Sequence, residues 1–203
     1  MNELNGKDAL ALGTLPGIKK IVMLERTTST QEVARELALQ GEMAGTLVVA
    51  ITQDSGKGRM GRAWESALGG VYMTLILEPS IGLKFLTELS LLGGRVAADT
   101  LKQLYGLSTR VKLPNDVYAL HPRKKKYLKI AGILTEASSI NKTPNWILLG
   151  VGVNLNNTVS LDTGVSVRDI LKKEVSREEF LQAFFENFWQ LYSAWEYSSE
   201  SKS

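Results

Sequence analysis

Four short stretches hold residue types that could do chemistry together. The first is Gln53-Asp54-Ser55-Gly56-Lys57-Gly58-Arg59-Met60-Gly61-Arg62-Ala63-Trp64, where Lys57, Arg59 and Arg62 stand among three glycines. Glycine permits tight turns and close approach of the backbone to a ligand. Guanidinium groups grip carboxylates and phosphates through paired donors, so this loop suits an acid and a nucleotide together. It is no Walker loop, because Lys-Ser/Thr does not follow at the required spacing. An ordinary solvated basic loop is the alternative. The second stretch, Lys112-Leu113-Pro114-Asn115-Asp116, has a proline that stops a strand and two polar side chains projecting from the turn. In the third, Leu128 to Glu136, strand alternation places Lys129 on one face with Ala131, Ile133 and Thr135. A cation on such a face needs an anion, and a substrate carboxylate or phosphate would be one. Lys129 could equally extend the solvated run Arg123 to Lys126. The fourth, Gly150-Val151-Gly152-Val153-Asn154-Leu155-Asn156-Asn157, leaves space above one strand face and sets Asn154 at its end. That space could admit a ligand or relieve packing. His121 is the sole histidine and cysteine is absent, so neither a histidine-based triad, a thiolate metal site nor a thiol nucleophile can be built.

These stretches need elements to hold them. Ile21 to Glu25 and Leu47 to Ile51 read as short strands, and Ser29 or Thr30 caps a helix over Gln31 to Leu39. Val71 to Leu77 is a strand closed by Pro79, and a helix fits Leu83 to Leu104. Its Gly93-Gly94 pair marks a close approach of another element. Arg110 to Leu113 is a strand ended by Pro114, and Leu128–Glu136 pairs with Trp146–Asn154 across an NKTPN connection. Ser176 and Glu179 form a capping-box pattern ahead of Leu181, Phe184, Phe185, Phe188, Tyr192 and Trp195, an aromatic stripe that reads as core. Strands and helices mingle without regular βαβ alternation, which predicts an α/β fold of the α+β type: one mixed sheet flanked by helices.

Composition narrows the class. The 203 residues are 44% hydrophobic and 22% charged, enough for one substantial core and unlike a disordered chain. A net charge of +3 suits anionic substrates but falls short of a nucleic-acid binder. Neither a secretory signal nor an apolar run of membrane-spanning length is visible, so a cytoplasmic protein with no membrane partner is expected.

Taken in order, a Ser-Thr helix start, QxxGKGRxGRxW, KLPND, KIAGILTE and GVGVNLNN resemble the catalytic domain of biotin protein ligases, from about Ile21 to the last helix. The family's fold is like that of class II aminoacyl-tRNA synthetases and lipoate ligases. The resemblance implies residues 1–20 as an N-terminal extension, 21–197 as the catalytic domain and 198–203 as a disordered tail, without the small C-terminal β-domain of many relatives. It implies activation of biotin with ATP to biotinyl-5′-AMP, then transfer to a lysine of a biotin carboxyl carrier protein. A lipoate or octanoate ligase is the alternative. Ser29, Thr30, Gln31 and Gln53 would bind the biotin ring system, with Gly132 lining the site. Gly56, Lys57, Gly58 and Arg59 would form a loop closing over biotin and the adenylate. Arg59, Arg62, Trp64, Lys112, Asn115 and Asn154 would serve the nucleotide. Lys129, Asp116 and Arg62 would be catalytic, Lys129 also binding biotin through its carboxylate and contacting the reacting phosphate, and Mg²⁺ would enter with the ATP phosphates, Asp116 being the candidate carboxylate. The resemblance also implies a homodimer. Residues 1–20 are too few for a helix-turn-helix domain, so no DNA partner is expected. Two positions depart from the family: Lys57 stands where arginine is usual, and Leu113 where tryptophan is usual.

Overall fold

In the computed structural model, which describes residues 12–78, 85–140, 143–160 and 162–200, seven strands form one mixed sheet in the order β1-β2-β3-β7-β6-β5-β4. β1 (Lys20–Thr27) and β2 (Thr46–Gln53) are parallel neighbours, and α1 (Thr30–Leu39) is the connection between them. Every other pairing is antiparallel: β2 with β3 (Val71–Leu77), β3 with β7 (Thr143–Val153), β7 with β6 (Lys126–Ile140), β6 with β5 (Asp116–His121), and β5 with β4 (Thr109–Lys112). The predicted α/β class with a mixed sheet is what the chain adopts.

Strand alternation divides the sheet into two unlike faces. Leu47, Val49, Met73, Leu75, Leu149, Val151 and Ile133 point to the main core with α2 (Leu86–Tyr105) and α4 (Arg177–Glu200). Gly93 and Gly94 of α2 permit that contact: a Cβ on Gly93 would stand 3.2 Å from Ile133 Cγ2, and one on Gly94 would stand 3.4 Å from Val111 Cγ1. The aromatic stripe of α4 is core, with Phe180, Phe184, Phe185 and Phe188 buried. Ser176 starts that helix by accepting from the Glu179 amide at 3.0 Å. On the opposite face Ala34 and Ala38 seat α1 on Val48, Ile76 and Leu148. Beyond α1 this face carries Thr74, Gly132, Gly150 and Gly152, side chains too small to fill it, and a hollow results.

Some boundaries differ from the sequence reading. β5 was missed, although Val117, Ala119 and His121 alternate inward. The Pro-Asn-Asp turn and the basic run on either side of it conceal the period, and His121 is a buried strand end. α3 (Val167–Leu171) is too short for a helical period, and only its Ser166/Asp169 capping box marks it. β6 and β7 each extend further into the predicted connection, and α4 continues to Glu200, into the predicted tail. Leu83 at the predicted start of α2, Pro79, residues 1–11 of the N-terminal extension and 201–203 of the tail lie outside the described residues. Within the extension, Leu15 is buried in the main core and the Pro16 carbonyl accepts from Trp189 Nε1 at 2.7 Å.

One correction affects the chemistry. Lys129 does not share a face with Ala131 and Ile133. The register of β5 against β6 shifts between Val117↔Ala131 and Tyr118↔Lys129, so β6 carries one extra residue there. Such a bulge resets the alternation. Ile130, Ala131 and Ile133 all enter the core, while Lys129 turns to the hollow face beside Gly132.

Candidate functional site

The hollow is a cavity of about 380 Å³. Its floor is the strand face of Thr74, Gly132, Gly150 and Gly152, and the glycines there make room for neighbouring side chains. A Cβ on Gly150 would lie 2.5 Å from Gln31 Oε1. One on Gly152 would lie 2.5 Å from Trp64 Nε1, and one on Gly132 would lie 2.9 Å from the Trp64 ring. Trp64 therefore lies flat across two strands, and Gln31 projects over a third position.

One end of the cavity is a buried polar network at the start of α1. Ser29 caps the helix, its Oγ accepting from the Gln31 amide at 3.3 Å. Gln53 Oε1, from the end of β2, accepts from the Thr30 amide at 2.8 Å and from Thr30 Oγ1 at 3.1 Å. Gln53 Nε2 donates to Ser66 Oγ at 2.7 Å, which turns the Gln53 side chain and fixes its orientation. Thr74 Oγ1 lies 3.0 Å from Thr30 Oγ1 and 3.1 Å from Gln31 Oε1. Gln31 Nε2 and Trp64 Nε1 are buried without a hydrogen-bond partner among the described residues. Buried donors of this kind are rare in folded proteins, and both border the cavity, where a ligand acceptor would satisfy them.

The other end is charged. Lys129 Nζ stands 2.7 Å from Asp116 Oδ1 and 5.2 Å from the centre of the Trp64 ring. The carboxylate and the ring face offset the cost of a half-buried cation. Asn115 is locked in place: its Nδ2 donates to the Ile133 carbonyl at 2.8 Å, and its backbone carbonyl accepts from the Ile133 amide at 2.9 Å. Its Oδ1 receives Arg59 Nη1 at 3.4 Å. Arg59 and Arg62 belong to a loop closed as a small hairpin, in which the Gly58 amide donates to the Arg62 carbonyl and the Trp64 amide to the Gly56 carbonyl, both at 2.7 Å. Met60 and Gly61 turn its tip with φ of 57° and 71°. Lys57 does not point its charge at the cavity centre. Its Nζ stands 2.7 Å from Glu32 Oε1 on α1.

Where β7 ends, residues 163–165 continue alongside β6. The Lys129 amide donates to the Thr163 carbonyl at 2.8 Å, and the Val165 amide to the Lys129 carbonyl at 2.9 Å. This segment separates off an adjoining cavity of about 100 Å³ lined by Trp64, Lys129, Asn154 and Thr163. Lys129 and Trp64 thus border both cavities, and the arginines line the larger one, at the end away from the buried polar network.

Ser29, Thr30, Gln31, Gln53, Lys57, Gly58, Arg59, Arg62, Trp64, Asn115, Asp116, Lys129 and Gly132 all line the larger cavity. Asn154 lines the adjoining one, where Asn157 Nδ2 donates to its Oδ1 at 3.0 Å. Gly56 lies behind the wall, its place for a Cβ 2.5 Å from the Trp64 carbonyl. Lys112 is exposed and stands 5.6 Å over the ring of Tyr118, which itself borders the cavity. Sequence reasoning missed Thr74, Ser66, Tyr118 and Thr163. Thr74 carried a signal, a lone hydroxyl in the apolar strand VYMTLIL; the others depend on neighbours distant in sequence. Among the described residues there is no group of three or more His, Cys, Asp or Glu able to hold a metal ion. No helix there is long and apolar enough to cross a membrane.

Comparison with known proteins agrees with this geometry. The biotin–[acetyl-CoA-carboxylase] ligase of Paracoccus denitrificans is 34% identical over 179 residues, 83% of this chain and 72% of that protein. The bifunctional ligase/repressor BirA of Bacillus subtilis is 38% identical over 130 residues, 64% of this chain but only 38% of its own length. The chain therefore spans well under half of that relative. Biotin protein ligase from Aquifex aeolicus in complex with biotin and ATP superposes with a TM-score of 0.76 at 27% identity, covering 90% of this chain and 74% of that one. The family model of biotin/lipoate A/B protein ligases matches residues 23–154. With a match over more than half its length, and with the motifs of that match gathered around one cavity, the chain belongs to the biotin/lipoate A/B protein ligase family.

Proposed function

We propose that this chain activates biotin with ATP to biotinyl-5′-AMP and transfers the biotinyl group to a lysine of a biotin carboxyl carrier protein. The observation that carries the reading is the position of Lys129, between a buried amide-and-hydroxyl pocket and an arginine-bearing loop. The uncharged end suits the ureido ring of biotin, which needs donors and acceptors but no counter-ion. Gln31 Nε2 is an unused donor there. The biotin carboxylate then reaches Lys129, and the nucleotide takes the adjoining space by Trp64 and Asn154.

In the first half-reaction a carboxylate oxygen attacks the α-phosphorus of ATP, the α–β phosphoanhydride bond breaks, and pyrophosphate leaves. Repulsion between the two anions opposes this, and Lys129, Arg59 and Arg62 supply the compensating charge. Magnesium belongs to the substrate as MgATP. Phosphate oxygens are its main ligands, and among the described residues Asp116 is the acidic side chain bordering the larger cavity. An arriving carboxylate or phosphate competes with Asp116 for Lys129. Asp116 is then released from its cation and takes the second role: it orients the carrier lysine and accepts its proton as the amine attacks the acyl carbon and AMP departs.

ATP–pyrophosphate exchange measured separately with biotin, lipoate and octanoate tests this. Exchange that depends on biotin alone is the expected result, and exchange supported by lipoate or octanoate but not biotin would overturn it.

A further inference from the structure

The ion pair between Lys57 and Glu32 joins the hairpin to α1. Lys57 opens the glycine-bearing hairpin, and Glu32 lies in the first turn of α1. Glu32 is well placed to stay ionised. A carboxylate in the first helical turn is favoured by the helix dipole. Thr28 Oγ1 also donates to Glu32 Oε2 at 2.7 Å, leaving Oε1 to Lys57 at 2.7 Å. The Lys57 contact first, and the Thr28 hydroxyl second, hold the Glu32 carboxyl below its ordinary range.

The hairpin transmits what happens at Lys57. Lys57 pairs with Ala63 across it, and the Gly58–Arg62 and Trp64–Gly56 hydrogen bonds enclose that pair on both sides. Arg59, Arg62 and Trp64 therefore move with Lys57. The far side of the same loop rests on Asn115 through Arg59. The loop is anchored on α1 at one end and on the turn before β5 at the other, and the cavity lies between these anchors.

We propose that Glu32 is a positioning residue that, through Lys57, holds residues 57–63 over the cavity and so retains the activated intermediate. The retention part rests on the reading of the cavity as the place where biotinyl-AMP is made. A point charge engaged by Glu32 serves to set the loop rather than to clasp the adenylate, and a planar fork is not needed for that.

A double-mutant cycle in the ligand-free chain decides whether the latch exists. Hydrogen exchange of the Gly58 and Trp64 amides is measured in wild type, Glu32→Gln, Lys57→Gln and the double variant. Each single variant should exchange about two- to fivefold faster, the range open to an exposed ion pair, and the double variant no faster than either single. Unchanged exchange in Glu32→Gln, or effects that multiply in the double variant, would overturn the latch. Amides in the middle of α1 should be unaffected, which separates the latch from a general loosening of the helix. Dissociation of biotinyl-AMP from Glu32→Gln should accelerate by a similar factor, and a wild-type rate would overturn retention. Biotin-dependent pyrophosphate exchange by the wild-type chain is judged separately. Its absence would overturn the reading of the site and the retention role with it, while the ligand-free amides still decide the latch.

Discussion

A cation half-buried in a cavity wall is costly unless something with negative charge completes its surroundings, and Lys129 has Asp116 at 2.7 Å for that purpose. Lys129→Ala should leave the fold intact, because the side chain occupies the cavity rather than the core. Pyrophosphate exchange should fall about a hundredfold or more, the usual cost of removing one charge-assisted contact at a transition state. Near-normal exchange in the folded variant would remove Lys129 from the chemistry. Asp116→Asn should slow transfer from preformed biotinyl-AMP in single-turnover measurements. The ion pair adds a smaller loss in the adenylation step, because Lys129 would no longer be held in place before substrate arrives. Gly152→Ala tests a different residue-scale constraint. Its Cβ would stand 2.5 Å from Trp64 Nε1, so the indole must shift. Overpacking of this kind costs ~1–3 kcal/mol, which denaturant unfolding would read directly. An unchanged midpoint would mean that Trp64 moves freely over the strands.

At the scale of elements, the site depends on where helices start and strands bend. The first turn of α1 delivers Ser29, Thr30 and Gln31 because Ser29 caps it and Gln53 takes the Thr30 amide. α3 matters through what precedes it. Ser166 and Asp169 form a reciprocal box that fixes the chain just after the 163–165 segment paired with Lys129. Ser166→Ala removes that box, and loss of an N-cap costs about 1 kcal/mol. We expect a lowered unfolding midpoint together with weaker binding of ATP, seen by equilibrium titration, since the segment borders the space beside Asn154. Weakened stability with unchanged ATP binding would show that the segment keeps its place without the cap. The bulge in β6 is the most consequential feature at this scale, because one extra residue turns Lys129 from the core face to the cavity face.

For the molecule as a whole, His121 gives a pH dependence unconnected with the site. Its side chain is buried at the end of β5, Nδ1 accepts from the Lys124 amide at 3.3 Å, and Lys124 and Lys172 are near it. Burial first, and the two lysines next, push its pKa below the ordinary histidine value. The folded state therefore binds the proton less readily than the unfolded state. The stabilising contribution is complete above the unfolded-state pKa of about 6.5 and is lost as pH falls through the lower folded-state value. His121→Gln should flatten the decline in urea stability between neutral and mildly acid pH. An identical decline in the variant would place its origin elsewhere.

Periodicity and punctuation already contained most of the elements. The Ser29 cap, the strand VYMTLIL, the glycine pair in α2 and the aromatic stripe of α4 are local patterns, and local physics creates them. Order in the chain also grouped Gln53 to Trp64, Lys112 to Asp116, Lys129 to Glu136 and Gly150 to Asn157 as parts of one site, and of the site residues expected from them Gly56, Lys112 and Asn154 lie outside the larger cavity wall. Residue spacing could not say which way Lys129 faces, since a bulge is a property of two paired strands and leaves no period in either one. Nor could it show that Gly132 and Gly152 make room for Trp64, that Thr74 completes the network around Gln53, or that Lys57 engages Glu32. Each of these is a contact between side chains far apart in sequence. Only the assembly of the sheet with α1 and the hairpin brings them within a few ångströms, so only the tertiary structure could decide them.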